Sequence, residues 1–279
     1  MRGQAIRLSV SQRLIGDMLY FASGVPTVPV QKRMSLGQLV AARAACKERP
    51  RWTVIFTKAY ALLAQEFPEL RRAYVRFPWP HLYEYPISKA TIMIERDYQG
   101  ELTPWSIVIK DPAHLSLQDI GRDLNYATSM PFEEIKHFRR AICFSRLPWL
   151  LRRALWWVGL NWGRQRANYF GTFEVSVYSA LQVQSLHPLS PTTTINYGVM
   201  TNDGTVAVRI IYDYRVLNGG MVGRMLVRPG ADTQFDSTER GPSAAVLTGW
   251  VTDMHAVATA RSCMSSARRS VPPRLSEKY

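Results

Sequence analysis

The sequence predicts an α+β fold in which helices pack on a mixed β-sheet. Segments with helical periodicity and segments with alternating apolar residues follow one another in the order helix, strand, helix, helix, paired strands, helix. This order differs from the regular alternation of a repeating parallel unit, and we find no internal repeat. A chain of 279 residues that is 47% hydrophobic can also bury a substantial core.

Most of these elements come from the first half of the chain. Ser35 is expected to cap the second helix, because a serine oxygen accepts a backbone N–H where a helix begins. The periodicity predicts helices over residues 8–21, 36–46, 52–67 and 115–126, and strands over residues 27–34, 83–94 and 103–109.

Charge and cysteine content limit the surroundings of the protein. A net charge of +14 and a pI near 10.0 indicate contact with an anionic partner, such as nucleic acid, a phospholipid surface or a phosphate-bearing cofactor. The three cysteines show neither paired nor metal-ligand spacing, which favours a reducing compartment and predicts a cytoplasmic protein without a metal site. No apolar run approaches the roughly 18 to 20 residues that span a bilayer.

The most informative stretch is residues 205–226, TVAVRIIYDYRVLNGGMVGRML. Its alternating Val206, Val208 and Ile210 predict a strand, which a polar turn connects to a short helix. The paired glycines after Asn218 let the backbone approach another group closely, as sites at strand ends often require.

This turn resembles the signature of the 2-oxoacid dehydrogenase acyltransferases, whose dihydrolipoamide acyltransferase catalytic domains are related to chloramphenicol acetyltransferase. The family signature is Asp-His-Arg-Val-x-Asp-Gly-Ala. Tyr214 stands in the place of the catalytic histidine and Asn218 in the place of the following aspartate. Four positions match the signature, namely Asp213, Arg215, Val216 and Gly219.

Three earlier stretches resemble the family in the same order, namely VPTVPVQKRMSLGQLVAAR, FTKAYALLAQEFPELRRAY and VIKDPAHLSLQDIGRDL. The resemblance covers about residues 5–127 and 170–227. It implies a chloramphenicol acetyltransferase-like two-layer sandwich with a mixed β-sheet and packed helices.

The resemblance also implies site residues. Residues 171–176, GTFEVS, resemble the family's Gly-Thr-Phe-Thr-Ile-Ser, whose serine stabilises the tetrahedral oxyanion, so Ser176 is expected to do the same. The alternative for Ser176 is a strand serine bonded to neighbouring backbone. Tyr214 would occupy the position of the general base, and Asn218 would orient the loop or bind the oxyanion. Because a phenol has a reference pKa of about 10, tyrosine donates a hydrogen bond more readily than it takes a proton at neutral pH.

Three further residues complete the expected site. His187, in the loop after the Ser176 strand, is an alternative base. In the family, the aspartate beside the catalytic histidine pairs with an arginine of the N-terminal helix. The resemblance therefore implies that Asp213 pairs with Arg13 and that this pair holds the catalytic loop in place.

The implied function is acyl transfer between a coenzyme A thioester and an unknown acceptor, weakened by the tyrosine in the base position. The alternative is a catalytically silent scaffold, or a relative that binds a membrane or ligand. Since no lipoyl domain precedes the matched region, we expect acyl-CoA, or a carrier on another chain, to supply the acyl group. The resemblance also implies a homotrimer whose active sites lie between subunits, with Tyr214 from one subunit and the channel from the next.

Residues 136–169, which we call the Trp/Arg segment, depart most from the family, whose ordinary members are shorter here. Three interpretations remain open: extra core packing with a solvated basic face, binding to a membrane interface through residues 146–166, and contact with a partner or an acyl chain. Nucleic-acid binding is not expected, because no nucleic-acid-binding fold accompanies the charge.

We expect a domain boundary near residue 230. Residues 1–230 would form the acyltransferase-like domain, and residues 231–279, rich in small, polar and basic residues, would be largely disordered with a short helix around 251–260. This tail and the substituted base together suggest a gene decaying or repurposed after catalysis was lost.

Overall fold

The computed structural model describes residues 3–176 and 191–227. The α-helices in these ranges are α1 (Val10–Ala22), α2 (Gly37–Ala45), α3 (Trp52–Glu66), α4 (Leu117–Ser129), α5 (Lys136–Ser145), α6 (Trp149–Asn161), α7 (Gly163–Phe170) and α8 (Gly219–Val227). The strands are β1 (Thr27–Ser35), β2 (Arg72–Val75), β3 (His81–Glu84), β4 (Lys89–Tyr98), β5 (Glu101–Lys110), β6 (Phe173–Ser176), β7 (Thr193–Tyr197) and β8 (Thr205–Asp213).

Six of these strands form one mixed sheet in the order β1-β8-β7-β6-β4-β5. The central strand β6 runs parallel to both of its neighbours, β4 and β7, whereas the outer pairs are antiparallel. Strands β2 and β3 form a separate antiparallel pair. Both faces of β6 and β7 are buried, as expected for central strands covered on both sides.

Two apolar cores hold the helices against the sheet. The main core joins α2, α3 and α8 to the centre of the sheet, and α3 is buried along most of its length. The second core joins α4 and α5 to β4 and β5, around an aromatic cluster of Trp105, Phe132 and Phe138. The α+β architecture predicted from the sequence is therefore confirmed.

The predicted cap of α2 is wrong. Ser35 is the last residue of β1, where it pairs with Thr205, and α2 begins after Leu36 without a side-chain cap. The start of α2 is instead held by a backbone hydrogen bond, in which the N–H of Leu36 donates to the carbonyl of Gly204 at 2.8 Å. Gly204 has a φ of +78°, and a Cβ there would lie 2.8 Å from the Cα of Gly37, so this contact needs glycine.

The Trp/Arg segment forms the three helices α5, α6 and α7. Helix α6 is attached to α1 by a buried ion pair, in which Nε of Arg152 lies 2.6 Å from Oδ2 of Asp17. Among the described helices, none has the length and apolar character needed to cross a membrane. The expected tail, 231–279, lies outside the described residues.

Candidate active site

The turn between β8 and α8 is fixed by backbone hydrogen bonds to two other segments. The N–H of Asp213 donates to Thr192 O at 3.0 Å, and the N–H of Tyr214 donates to Pro26 O at 2.9 Å. Within the turn, the N–H groups of Val216 and Leu217 both donate to Asp213 O. The turn is thus held to the segment before β7 and to the segment before β1.

A salt bridge inside the turn holds its side chains. Arg215 binds the carboxylate of Asp213 through two nitrogens, with Nε 2.9 Å from Oδ1 and Nη2 2.7 Å from Oδ2. The backbone N–H of Arg215 also donates to Oδ1 of Asp213 at 3.0 Å. The guanidinium of Arg215 lies over the ring of Tyr74, 4.3 Å from its centroid. This arrangement gives the buried carboxylate a full set of strong donors.

The predicted pair between Asp213 and Arg13 is therefore wrong for this chain. Arg13 donates from Nη1 to Ser145 O at 3.2 Å and from Nε to Ser9 O at 3.2 Å, so it joins α1 to the end of α5. The physical reason is proximity, because Arg215 lies two residues from the carboxylate and satisfies both of its oxygens. Asp213 keeps the structural role expected of it, with a different partner.

Tyr214 lies at an exposed position of the turn. Its side chain is 56% exposed, and its ring centroid lies 6.4 Å from that of Tyr212 in a tilted arrangement. The phenol therefore faces outward from the chain that carries it, where a second chain could reach it.

Asn218 caps the helix that follows the turn. Its Oδ1 accepts the N–H of Met221 at 2.8 Å, a contact typical of a residue before a helix. A Cβ at the next residue, Gly219, would lie 3.2 Å from the hydroxyl of Tyr212, which explains the small residue there. The amide nitrogen of Asn218 makes no hydrogen bond to the described residues, so it stays available for another group.

Ser176 is the last residue of β6 and is fully buried. Its Oγ has no hydrogen-bond partner among the described residues. The alternative of a strand serine bonded to neighbouring backbone is therefore not seen. Because buried hydroxyls are usually hydrogen-bonded, the partner of this one is expected outside the described residues, in the rest of the chain, in another copy or in a ligand.

The sheet register separates Ser176 from Tyr214 within one chain. Ser176 pairs with Asn196 on β7, which pairs with Arg209 on β8, and Tyr214 follows Arg209 by five residues. Five residues correspond to about 17 Å along the strand, and two strand spacings to about 10 Å across the sheet, so the two backbones lie about 19 Å apart. The two side chains can share one site only if they come from different copies of the chain.

Glu174 was assigned no role from the sequence, yet it lies on the same face of β6 as Ser176. Its side chain is buried, and this burial raises the pKa of the carboxyl to about 8. The signal available in the sequence is an acidic residue between the apolar Phe173 and Val175. Its burial could not be predicted, because it depends on strands and helices far away in the sequence.

The alternative base, His187, and the expectation about metal binding concern the remaining candidate residues. His187 lies outside the described residues. Within the described ranges, 3–176 and 191–227, no group of three or more His, Cys, Asp or Glu side chains could hold a metal ion.

Helix α6 exposes a broad apolar surface with basic residues beside it. Three tryptophans of the Trp/Arg segment, Trp149, Trp157 and Trp162, are 44–56% exposed, whereas Trp156 stacks between Phe21 and Phe170. The exposed aliphatic residues beside them are Leu150, Leu151, Leu155 and Val158. Helix α6 therefore packs Trp156 inward and leaves most of its other apolar residues on the surface, whereas α5 contributes Phe138 to the second core.

With this geometry in hand, the fold can be placed among known ones. No protein-family model matches the chain, and no curated protein sequence matches it. Solved structures do match. A probable dihydrolipoamide acetyltransferase from Listeria monocytogenes aligns over 80% of this chain and 91% of its own, with 17% identity and a TM-score of 0.57. The chain thus has the α+β fold of the dihydrolipoamide acetyltransferase catalytic cores, and the predicted fold resemblance is confirmed.

Two further structures agree. The dihydrolipoamide acetyltransferase of Azotobacter vinelandii aligns over 82% of this chain and 90% of its own, with 14% identity and a TM-score of 0.57, and was studied for the catalytic role of a serine, a histidine and an asparagine. The cubic core of a pyruvate dehydrogenase multienzyme complex aligns over 94% of this chain and 93% of its own, with 13% identity and a TM-score of 0.55.

Proposed function

We propose that the protein transfers an acyl group from a coenzyme A thioester to a thiol or amine acceptor, at a site formed between two copies of the chain. The observation that carries this proposal is the buried hydroxyl of Ser176, which has no partner among the described residues of an acetyltransferase-like fold. A preorganised donor without a ground-state partner suits a negative charge that develops only during the reaction.

Tyr214 and Asn218 supply the second half of this site. In the Azotobacter vinelandii protein, the catalytic histidine and asparagine stand four positions apart, which is also the spacing of Tyr214 and Asn218 here. In the proposed site the phenol of Tyr214 donates a hydrogen bond to the acceptor or the acyl oxygen. Asn218 keeps the turn in register with α8 and offers its amide nitrogen to the same oxygen.

Assembly follows from the separation of the two halves. Since Ser176 and Tyr214 lie about 19 Å apart in one chain by the strand register, the proposal requires an oligomer, and we propose a homotrimer. The likeness to a structure that forms a cubic core supports such an assembly of copies. The exposure of Tyr214, at 56%, agrees with a side chain that is completed by a neighbour.

Release of free thiol from a series of acyl-CoA substrates tests this function. We expect turnover by the wild type, a rise for Tyr214→His because imidazole is the better base, and a fall of about 100- to 1,000-fold in kcat/KM for Ser176→Ala. Thr103→Val is the matched control, because it also removes a buried hydroxyl without a partner among the described residues, on the edge strand β5.

Two results would contradict the proposal. One is the absence of thiol release in both the wild type and Tyr214→His, measured on folded protein that binds coenzyme A. The other is an unchanged kcat/KM in Ser176→Ala. The first result would favour the catalytically silent scaffold, and the second would remove Ser176 from the proposed site.

We also propose that the Trp/Arg segment binds an anionic phospholipid surface, at the cytoplasmic side of a membrane. Exposed tryptophan and leucine side chains on α6 suit the interfacial region, and the segment contains no aspartate or glutamate to oppose anionic headgroups. Arg153 lies over the rings of Tyr20 and Trp149, at 3.8 and 5.2 Å from their centroids, which orders this surface before any lipid is bound.

Flotation with vesicles tests this second proposal. We expect the protein to float with vesicles that contain phosphatidylserine and to float less with pure phosphatidylcholine. The double variant Trp149→Ser, Trp157→Ser should lose flotation. Leu102→Ser should keep it, since Leu102 is an apolar residue at least as exposed, at 62%, but lies on the β4–β5 hairpin. Equal flotation of all three proteins would contradict the proposal.

A further inference from the structure

Strand β6 presents two polar side chains on the face that is turned away from the main core. Phe173 and Val175 pack into that core against α3, so Glu174 and Ser176 lie on the opposite face. Both are buried, with 4% of Glu174 and none of Ser176 exposed. Residues two apart on a strand lie about 7 Å apart, so the carboxyl and the hydroxyl are close enough to act on the same bound group.

Three polar groups of this face have no bonding partner in the described part of the chain. Neither the Ser176 hydroxyl nor the Thr194 hydroxyl is hydrogen-bonded to a described residue. The carboxyl of Glu174, which pairs in register with Thr194, likewise forms no ion pair or hydrogen bond there. Since more than 90% of buried polar groups in proteins are bonded, three such groups side by side indicate that a polar ligand binds against them.

No charged neighbour among the described residues neutralises Glu174. The charged side chains on this face of the sheet, or packed on it from α7, bond elsewhere: Lys89 to Asn168, Arg166 to the carbonyl of Tyr74, Arg209 to Gln31, and Asp213 to Arg215. The nearest residue on β4, Thr91, donates to the carbonyl of Phe170 at 2.7 Å. The carboxyl is thus not the partner of a structural salt bridge in this part of the chain.

From this cluster we infer that Glu174 is the general base of the acyl transfer and that it acts beside the oxyanion donor Ser176. The inference rests on the proposed function and supplies the group that the tyrosine in the family's base position does not. Glu174 comes from the same strand as the donor, so base and donor stay together whichever copy provides Tyr214.

The proton balance of the step is complete. The sulfur or nitrogen of the acceptor forms a bond to the acyl carbon as its proton passes to the Glu174 carboxylate. Negative charge on the former carbonyl oxygen is then stabilised by the Ser176 hydroxyl. When the carbon–sulfur bond to coenzyme A breaks, the Glu174 carboxyl returns the proton to the departing thiolate, and the carboxylate is restored.

The electrostatics of the site suit this task. Burial raises the pKa of Glu174 to about 8, so part of the population is ionised near neutral pH and the group can both take and return a proton. An ordinary carboxylate, with a reference pKa of about 4.3, would be a much weaker base toward a thiol or an amine.

The test compares pH–rate profiles of the wild type and Glu174→Gln. We expect kcat/KM of the wild type to rise with pH through a midpoint near 8, and Glu174→Gln to lose this rise together with about 100- to 10,000-fold of kcat/KM. Glu174→Thr, the residue type of the resembling family, is the second variant should the glutamine variant not fold. Asp123→Asn is the matched control, because Asp123 is a buried carboxyl in α4 on the second core.

A carbon-13 NMR titration of the glutamate carboxyls gives a readout independent of turnover. The wild type should show a carboxyl with a midpoint near 8 that is missing from Glu174→Gln. Active wild type with an unchanged profile in Glu174→Gln would overturn the role of Glu174 alone. A wild type that turns over no acyl-CoA at any pH would overturn the proposed function, and this role with it.

Discussion

Arg215 binds the carboxylate of Asp213, two residues before it, through two hydrogen bonds of 2.9 and 2.7 Å. The residue between them is Tyr214, whose side chain is 56% exposed. The ion pair therefore adds to the backbone hydrogen bonds of Asp213 and Tyr214 in holding the loop, and Arg13 of the N-terminal helix takes no part in it.

Removing the arginine of this pair should destabilise the protein. Arg215→Ala leaves the buried carboxylate of Asp213 without its charged partner, so we expect a loss of about 1–3 kcal/mol in the free energy of unfolding, measured by urea denaturation. The control is Arg122→Ala, which breaks an exposed pair with Asp119 and should cost less than about 0.5 kcal/mol. Similar urea midpoints for Arg215→Ala and the wild type would contradict the structural role of the pair.

Asn218 should contribute to stability as a helix cap. Asn218→Ala removes the acceptor of the Met221 N–H, and we expect a loss of about 1 kcal/mol in unfolding free energy. Asn218→Asp keeps an oxygen in the capping position and should retain this stability. Both variants lose the amide nitrogen, but only Asn218→Ala also loses the cap. The activity of Asn218→Asp therefore measures the contribution of the amide nitrogen alone. Equal loss of stability in both variants would show that the cap is not what matters.

The ion pair between Asp17 and Arg152 should anchor α6. Both side chains are more than 90% buried, so Asp17→Ala leaves an unpaired buried charge and should cost about 3–5 kcal/mol in unfolding free energy. Limited proteolysis should then cut α6 before the rest of the chain. Arg152→Ala should cause a similar loss, and the double variant should lose much less than the sum of the two. Additive losses would contradict a direct coupling.

Glu174 should make stability depend on pH. The folded state holds the proton up to about pH 8, whereas the unfolded chain releases it near the ordinary glutamate pKa of 4.5. The folded state therefore binds more protons between these values, so the contribution of Glu174 to stability should be fully present below pH 4.5 and be lost as pH rises to 8. The fall should be on the order of 5 kcal/mol.

Urea denaturation at several pH values measures this effect. Glu174→Gln should remove the decline that is due to the carboxyl and leave the contributions of the other groups. An identical dependence of stability on pH in the wild type and Glu174→Gln would show that the carboxyl ionises normally in the folded protein.

Much of the fold could be predicted because helices and strands follow from the local spacing of apolar residues. The amphipathic helix over Trp52–Glu66 and the alternating strand before Asp213 were expected within one or two residues of where they lie. The order of elements then limited the architecture to a mixed sheet with helices, which the structure confirms. The cap predicted at Ser35 is wrong because this residue ends β1, where it pairs with Thr205, a residue distant in the sequence.

Side-chain partners were predicted less well, because they depend on contacts distant in sequence. The pairing of Asp213 with Arg13 was inferred from a resemblance. In this chain Arg215 binds Asp213, and Arg13 donates a hydrogen bond to Ser145 at the end of α5. The burial of Glu174 could not be predicted either, because it depends on elements distant in the sequence. An acidic residue that alternates with apolar ones usually faces solvent, and only the structure shows that both faces of β6 are buried.

The central claim is that Ser176 of one copy and Tyr214 of another complete each site. Ser176→Ala and Tyr214→Phe are each expected to be nearly inactive alone. Co-expression of the two variants then gives oligomers that contain subunits of both. If each site takes one residue from each of two neighbours, about a quarter of the sites regain both wild-type residues, and about a quarter of the wild-type activity should return. Activity of the mixed oligomer no higher than that of the two parent variants would contradict the shared site.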